Sequence, residues 1–187
     1  MSANHAIGAM NKLADALDNA GFDASDVTRL TQYEKLSSIR QLLDGNAEIV
    51  QLNHIIDGDA DPFIPNGWNV AEHCKIGQMQ WDAEKISLYL SKKQLNGGVV
   101  VGNKLRNELE KKQRLNANVL DYLLANPHLI PEEWKGKYVF FWGTVYRGRD
   151  GSLCVRCLSW DDGRWDWGDF WLGHSWYDNG PAALRAS

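Results

Sequence analysis

The first part of the chain has apolar residues at helical spacing. These residues lie three or four positions apart and precede Gly21: Ile7, Met10, Leu13 and Leu17. Side chains at this spacing share one face of an α-helix. A second amphipathic stretch, over residues 25–45, also ends on a glycine, the residue that most often follows a helix. We therefore expect a helical N-terminal region over residues 1–60.

The middle of the chain predicts more helices after an irregular loop. Residues 57–67 are rich in Asp, Pro and Gly, a composition typical of a linker, and we expect a boundary between two parts of the protein there. Helical segments are expected at residues 81–94, 103–113 and 116–127, the last of which Pro127 should end.

From Lys137 onward the pattern changes to that of β-strands. Aromatic and β-branched residues dominate three segments, "YVFFWGTVYR", "SLCVRCLSW" and "GRWDWGDFWL". The sequences "GRDG" and "DDG" between them are strong hairpin signals. The pattern predicts an antiparallel meander of at least three strands, so that residues 66–187 form an α+β domain.

Charge and cysteine content limit the partners, the cellular location and the metal or redox sites that we expect for the protein. The formal charge is −4 and indicates no broad basic surface, so we do not expect binding to duplex nucleic acid. No basic segment followed by an apolar run precedes the first helix, and no run is long enough for a membrane span, so we expect a cytoplasmic protein. Cys154 and Cys157 lie three apart in a predicted strand and should point to opposite faces, which favours packed thiols over a redox or metal pair. We expect no metal and no cofactor.

Tryptophan is concentrated near the C-terminus. Residues 160–178 hold five of the nine tryptophans of the chain. In the predicted strand over residues 163–172, alternation puts Trp165, Trp167 and Trp171 with Asp169 on one face, and Arg164, Asp166, Gly168 and Phe170 on the other. We expect these tryptophans to be mostly buried and to act as a scaffold, which comprises Trp160, Trp165, Trp167, Trp171 and Trp176.

The residues between the tryptophans have a distinctive composition. From residue 138 to 187 there is no Lys, Glu, Gln or Met, although these types make up 29 of the preceding 137 residues. From 161 to 180 every residue other than Trp belongs to a type that has a codon ending in a pyrimidine. Such codons arise when the adenines of AAC or AAT are replaced, whereas TGG, the codon of Trp, contains no adenine and stays unchanged.

In this respect the segment resembles the variable region of target proteins of diversity-generating retroelements. The region around residues 128–187 is also similar to a recurrent group of bacterial proteins that differ mainly between such tryptophans. The resemblance implies a C-type-lectin-like fold and a diversified surface, at about residues 160–180, that binds a protein or another macromolecule. The side chains expected to contact the ligand are those of Asp162, Arg164, Asp166, Phe170, His174, Tyr177 and Asp178.

Three alternatives remain open from the sequence. Exposed Trp165, Trp167 or Trp171 would instead suit a carbohydrate- or polymer-binding module, because indole rings stack on sugars. The domain could also be purely structural. An enzyme built on Asp166, Asp169 and His174 is the weakest alternative, because Asp is also a common turn residue, and we expect no enzyme.

Overall fold

The computed structural model describes residues 3–31, 36–47 and 53–186. The chain divides into two compact units, Met1–Leu52 and Asn53–Ser187. The boundary predicted between residues 57 and 67 therefore falls inside the second unit. That loop is held there by hydrogen bonds: Asp59 Oδ1 accepts from the Gly77 N–H at 2.8 Å, and the Tyr146 hydroxyl donates to the Phe63 carbonyl at 3.0 Å.

The described part of the first unit is helical, as predicted, but the helical region was predicted to extend too far, to residue 60, because residues 55–57 form a strand of the second unit. Its described elements are α1 (Ala3–Asn19), α2 (Ala24–Thr31) and α3 (Leu36–Leu43). Gly21 follows α1 with a φ of 82°, in the left-handed region that glycine adopts without strain. Asp23 caps α2, because its Oδ1 accepts from the Asp26 N–H at 2.9 Å.

The second unit is α+β, in agreement with the fold class predicted from the sequence. Its two helices are α4 (Gly102–Leu109) and α5 (Ala117–Ala125). Its strands are β1 (Ile55–Asp57), β2 (Asn69–His73), β3 (Gln78–Gln80), β4 (Ile86–Tyr89), β5 (Val100–Val101), β6 (Val139–Phe140), β7 (Thr144–Arg147), β8 (Leu153–Asp161), β9 (Arg164–Trp171), β10 (Ser175–Trp176) and β11 (Ala182–Arg185).

Seven of these strands form one curled sheet around β8. One edge of β8 pairs with β9 along its length, and the other edge pairs first with β7 and then with β6. The sheet continues from β7 to β2, and from β6 through β11 to β4. All pairs are antiparallel except β6 with β11. The predicted antiparallel meander is thus β7, β8 and β9, and two small sheets, β1 with β3 and β5 with β10, lie outside it.

Two local predictions were wrong. The segment 81–94 is not a helix: a short 3-10 turn, Ala83–Lys85, leads into β4, which pairs with the C-terminal strand β11. The segment "YVFFWGTVYR" is not one strand, because it is interrupted between β6 and β7 at Gly143. The backbone of Gly143 lies against Asn116, where a Cβ atom would come within 2.8–2.9 Å of Asn116 atoms.

The other two helices of the middle region are confirmed. Residues 103–113 contain most of α4, and residues 116–127 contain α5, which ends just before Pro127. Leu120 and Leu123 of α5 are fully buried against one face of the sheet, together with Leu158 of β8. Leu105 and Leu109 of α4 belong to a second core cluster, which includes Val155 and Cys157 of β8. Alternate residues of β8 therefore belong to two cores, one on each face.

A charged side chain lies within the core on the α5 face. Arg156 of β8 is only 1% exposed. Its guanidinium donates two hydrogen bonds to the Asp121 carboxylate of α5, at 2.7 and 3.1 Å. The guanidinium carbon also lies 4.4 Å from the centre of the Trp167 ring of β9. One ion pair and one cation–π contact therefore link α5, β8 and β9.

We predict that Asp121→Ala lowers the free energy of unfolding of the second unit by about 2–4 kcal/mol, because it leaves the Arg156 charge buried without a counter-ion. Arg164→Ala is the matched control. It removes an exposed ion pair with Asp166, whose N···O distance is 3.4 Å, and should change stability by less than ~0.5 kcal/mol. Urea unfolding followed by tryptophan fluorescence reports on the second unit alone, because all nine tryptophans lie between residues 68 and 176. Equal losses in the two variants would show that the buried pair has no special role.

Candidate ligand-binding site

The tryptophan-rich segment forms the outer strand of a hairpin. β8 and β9 pair from Cys154 with Trp171 to Asp161 with Arg164, without a register shift. The two-residue turn between them is Asp162 and Gly163, with φ angles of 47° and 77°. Positive φ at both positions is the mark of a type I′ turn, which Asp-Gly favours. The hairpin predicted from "DDG" is confirmed.

The tryptophan face of β9 packs inward over most of its length. Trp165 and Trp167 are partly buried against the core cluster that contains α5. The Trp167 ring also meets Trp68 edge-on, with ring centres 6.3 Å apart. Trp160 on β8 packs against Trp165 at 5.3 Å, and the Lys135 ammonium lies 3.9 Å from the centre of its ring. These three tryptophans of the predicted scaffold contact the part of the second unit outside residues 160–180, which we call the frame of the domain.

Trp171 differs from the other tryptophans of this face. Its side chain is 45% exposed, so the expectation that it is mostly buried was wrong. It pairs with Cys154 at the end of the hairpin, where the adjoining core cluster is small and comprises Ala117, Tyr146 and Cys154. The ring contact described for Trp171 is with His174, at 5.1 Å.

Trp176 is the most deeply placed tryptophan of the segment. It is 1% exposed and lies on β10, with its ring 4.3 Å from Phe140 and 4.6 Å from Trp142. Its indole N–H donates to the Trp171 carbonyl at 3.3 Å. The ring needs a glycine at position 102, because a Cβ there would lie 2.3 Å from the indole nitrogen. Trp176 therefore holds the chain that follows β9 against the domain.

An apolar groove opens on the other face of β9. Its volume is about 410 Å³. Three of its lining residues belong to the frame of the domain: Tyr138, Phe140 and Cys157. The other seven belong to the tryptophan-rich segment, residues 160–180: Gly168, Asp169, Phe170, Trp176, Tyr177, Asn179 and Gly180.

Gly168 is the residue that keeps this groove open. It lies opposite Cys157 in the hairpin, on the same face as Phe170. A Cβ atom at position 168 would meet only the Cys157 sulfur, at 3.5 Å, which is an ordinary contact. A side chain at this position would therefore project into the groove without straining the strand.

The seven predicted ligand-contacting residues fall into two groups. Asp162, Arg164 and Asp166 lie at the exposed tip of the hairpin, whereas Phe170, His174, Tyr177 and Asp178 lie at or near the groove. A strand rises about 3.3 Å per residue, so Asp166 and Phe170 are roughly 13 Å apart. Arg164, Asp166 and Phe170, which include members of both groups, nevertheless share one face of β9.

Phe170 has a double role that the sequence did not indicate. It is partly buried against the core cluster around α4, and its ring lies 5.2 Å from that of Trp176 and 5.5 Å from that of His174. Phe170 therefore supports the groove as well as lining it. Tyr177 is more than half exposed, at 53%, and Asp178 is exposed.

Some groove residues outside the predicted set could have been identified from the sequence, and others could not. Gly168 could have been found, since it is the one residue without a side chain on the Arg164–Asp166–Phe170 face. Tyr138 and Phe140 could not, because they reach the groove only through long-range pairing of β6 with β8 and β11. The loop residues Asn179 and Gly180 join it because the Tyr138 N–H donates to the Asn179 carbonyl at 2.8 Å.

Negative charge is concentrated around this site. Residues 160–180 contain five Asp and one Arg, a formal charge of −4, which equals the charge of the whole chain. The remaining residues carry 19 basic and 19 acidic side chains and are neutral as a group. The segment that supplies most of the groove lining is therefore acidic relative to the rest of the protein.

The candidate acid pair of an enzyme does not converge. Asp166 and Asp169 are separated by three positions in β9 and point to opposite faces, since Asp169 shares its face with Arg156. Burial raises the pKa of Asp169, while Arg156 and a hydrogen bond from Cys154 act in the other direction. His174 packs against Phe170 and Trp171.

The two cysteines of "CVRC" lie on opposite faces of β8, as predicted. Cys154 packs with Ala117 and Tyr146, whereas Cys157 belongs to the core around α4. Both are free thiols, and burial raises the pKa of each to about 12. A thiol with such a pKa is a poor nucleophile at neutral pH.

A second cleft, of about 420 Å³, lies away from the tryptophan-rich segment. Several of its lining residues are basic, among them Lys75, Lys112, Arg114 and Arg185. Arg114 Nη2 lies 3.1 Å from the sulfur of Cys74. None of the predicted ligand-contacting residues lines this cleft.

No protein-family model, no curated protein and no solved structure matches this chain. In the part of the chain that the structure describes, no group of three or more His, Cys, Asp or Glu residues could hold a metal ion. None of the helices described is long and apolar enough to span a membrane.

We predict that two tryptophans of the segment differ sharply in their contribution to stability. Trp176→Ala should lower the free energy of unfolding by ~3–5 kcal/mol, because it leaves a large cavity among Phe140, Trp142 and Phe170. Trp171→Ala should cost less than about 1.5 kcal/mol, because nearly half of that side chain is already in solvent. Urea unfolding monitored by near-UV circular dichroism measures both. Similar losses would contradict the division into buried and exposed rings.

Proposed function

We propose that the second unit is a ligand-binding module. It binds a protein or another macromolecule through the groove and the adjoining hairpin tip. This surface is diversified as in the variable proteins of diversity-generating retroelements. The observation that carries the proposal is the part of the chain from which the groove-lining residues come. Seven of its ten lining residues come from the segment 160–180, and the composition of that segment is the one that adenine replacement would leave.

The separation of frame and surface supports this proposal. Diversification is tolerable only where substitutions leave the fold intact, and exposed changes usually alter stability by less than ~0.5 kcal/mol. The exposed side chains of Asp162, Arg164 and Asp178 meet this condition. Between them, Trp167 and Trp176 contact the core, and their TGG codons contain no adenine.

The composition of the surface also suits binding. Tyr, Ser, Gly, Asn and Asp are the residues that binding loops favour, because they combine aromatic contact with adaptable hydrogen bonding. The exposed Tyr177 at the mouth of an apolar groove, with Asn179 beside it, has this character. Apolar concave sites with a few polar groups are the usual form of ligand sites.

For the fold, we propose a C-type-lectin-like arrangement of the second unit. In its favour, the early strand β4 pairs with the C-terminal strand β11, and α4 and α5 lie between β4 and the β7–β8–β9 meander in sequence. The C-terminal strand is thus joined to the strand that precedes the two helices, and the meander is left to present the candidate surface.

The proposal does not include catalysis. Asp166 and Asp169 project from opposite faces of β9, and His174 packs between aromatic rings. A carbohydrate-binding module is the second candidate, on the strength of the 45% exposure of Trp171. It ranks lower because Trp165 and Trp167 are packed against the core and do not extend Trp171 into a flat platform.

The gene provides the test of diversification. We expect the non-Trp codons of residues 161–180 to end almost entirely in C or T. A near-copy of this segment, with AAC or AAT at the variable positions, should lie close to a reverse-transcriptase gene. The codons of residues 138–159, which include β6, β7 and most of β8, serve as the control and should have a mixture of third bases. Purine-ending codons such as CGG or GGA spread through 161–180 would contradict the proposal.

A further inference from the structure

The outer edge of β9 is not paired with any strand that the structure describes. Asp161 and Arg164 close a two-residue turn and therefore exchange hydrogen bonds, so that alternate pairs along the hairpin do the same. The backbone N–H and C=O groups of Trp165, Trp167, Asp169 and Trp171 then point away from β8. Two contacts agree with this direction: the Trp167 N–H donates to Asp166 Oδ1 at 2.8 Å, and the Trp171 carbonyl accepts from the His174 N–H at 3.1 Å.

Two positions on this edge are open to a partner. Among the described residues, no strand pairs with the outer side of β9, and no backbone hydrogen bond reaches the outward groups of Trp165 or Asp169. The strand is eight residues long and has no Lys, no Pro and no bulge, the features that commonly block edge pairing. Such an edge is a template for an additional strand.

The groove lies beside this edge. Gly168 is flanked on β9 by the outward-pointing backbone of Trp167 and Asp169, and its missing side chain leaves the space above the strand open towards Cys157. An added strand would run about 4.8 Å from β9, with alternate side chains on the groove face. One of these side chains could lean over Gly168 into the apolar space.

The charge of the segment indicates the chemistry of the occupant. The formal charge of −4 on residues 160–180 disfavours pairing with a second copy of the same strand, because like charges would face each other. It favours a strand that carries Lys or Arg. The apolar lining of the groove favours one aliphatic or aromatic side chain between those basic residues.

We propose that the partner binds as an extended basic peptide segment of another protein, which adds to the outer edge of β9 and places one apolar side chain in the groove over Gly168. This inference rests on the proposed ligand-binding function and specifies its geometry. Main-chain hydrogen bonds to Trp165 and Asp169 would supply sequence-independent affinity, and the groove and the aspartates would supply specificity.

The test uses a random dodecapeptide phage library selected on the whole 187-residue chain. Enriched peptides should carry two or more basic residues and one large apolar residue. Their affinities for variants are then measured by fluorescence polarisation with the synthetic peptide, at low and at high salt. Binding should weaken at least several-fold from 50 to 500 mM NaCl.

A matched pair of variants isolates the backbone contact. Asp169→Ala and Asp169→Pro both remove the carboxylate and with it the hydrogen bond from Cys154 of β8. Only the proline also removes the outward N–H, and neither removes a backbone hydrogen bond to β8. We expect the proline variant to bind at least tenfold more weakly than the alanine variant. Gly168→Phe should also lose at least tenfold by filling the groove, whereas Gly173→Phe, at a position where a Cβ meets nothing within 4 Å, should bind normally.

Amide hydrogen exchange on the unmodified protein gives an independent reading if Asp169→Pro fails to fold. The bound peptide should slow exchange of the Trp165 and Asp169 amides. Unchanged exchange at both amides, equal binding by the two Asp169 variants, or a library that yields no basic peptide would each overturn strand addition. If Gly168→Phe alone abolishes binding, strand addition fails while the proposed ligand-binding function stands. If neither Gly168→Phe nor Asp169→Pro affects binding, strand addition and the proposed ligand-binding function both fail.

Discussion

The buried guanidinium of Arg156 is the constraint around which the second unit is arranged. A charge that is 1% exposed is tolerated only if it is paired and surrounded by favourable contacts. Asp121 on α5 provides the counter-ion, Trp167 on β9 covers the guanidinium from one strand away, and the Phe63 ring lies 5.2 Å from it. One side chain thereby fixes the positions of a helix, a neighbouring strand and the loop before β2.

The same constraint determines which face of β9 is left for a ligand. With Trp167 held over Arg156, the period of two in a strand directs Trp165 inward, and it directs Asp166, Gly168 and Phe170 to the opposite face. On that face, Trp176 anchors the returning chain and positions the loop over residues 177–180. The groove is therefore a product of the frame, although most of the residues that line it come from the segment 160–180.

Local patterns predicted those parts of the structure that depend on local physics. The turn at Asp162 and Gly163, the opposite faces of Cys154 and Cys157, and the end of α5 before Pro127 all follow from neighbouring residues. The failures have long-range causes. The segment "ISLYL" fits both a helical and a strand period, and only its pairing with β11, almost 100 residues later, makes it a strand. Similarly, alternation predicts the face of Trp171 but not how much core is present beneath it.

Under the proposed function, tryptophans hold the second unit together, and the exposed residues between them are free to vary. A display library tests this central claim directly, with protease resistance as the measure of folding. In one pool, Asp162, Arg164, Asp166, His174, Tyr177 and Asp178 are randomised with codons that end in C or T. In the other, Trp160, Trp165, Trp167 and Trp176 are randomised instead. We expect most members of the first pool and few of the second to resist proteolysis; equal survival of the two pools would contradict the claim.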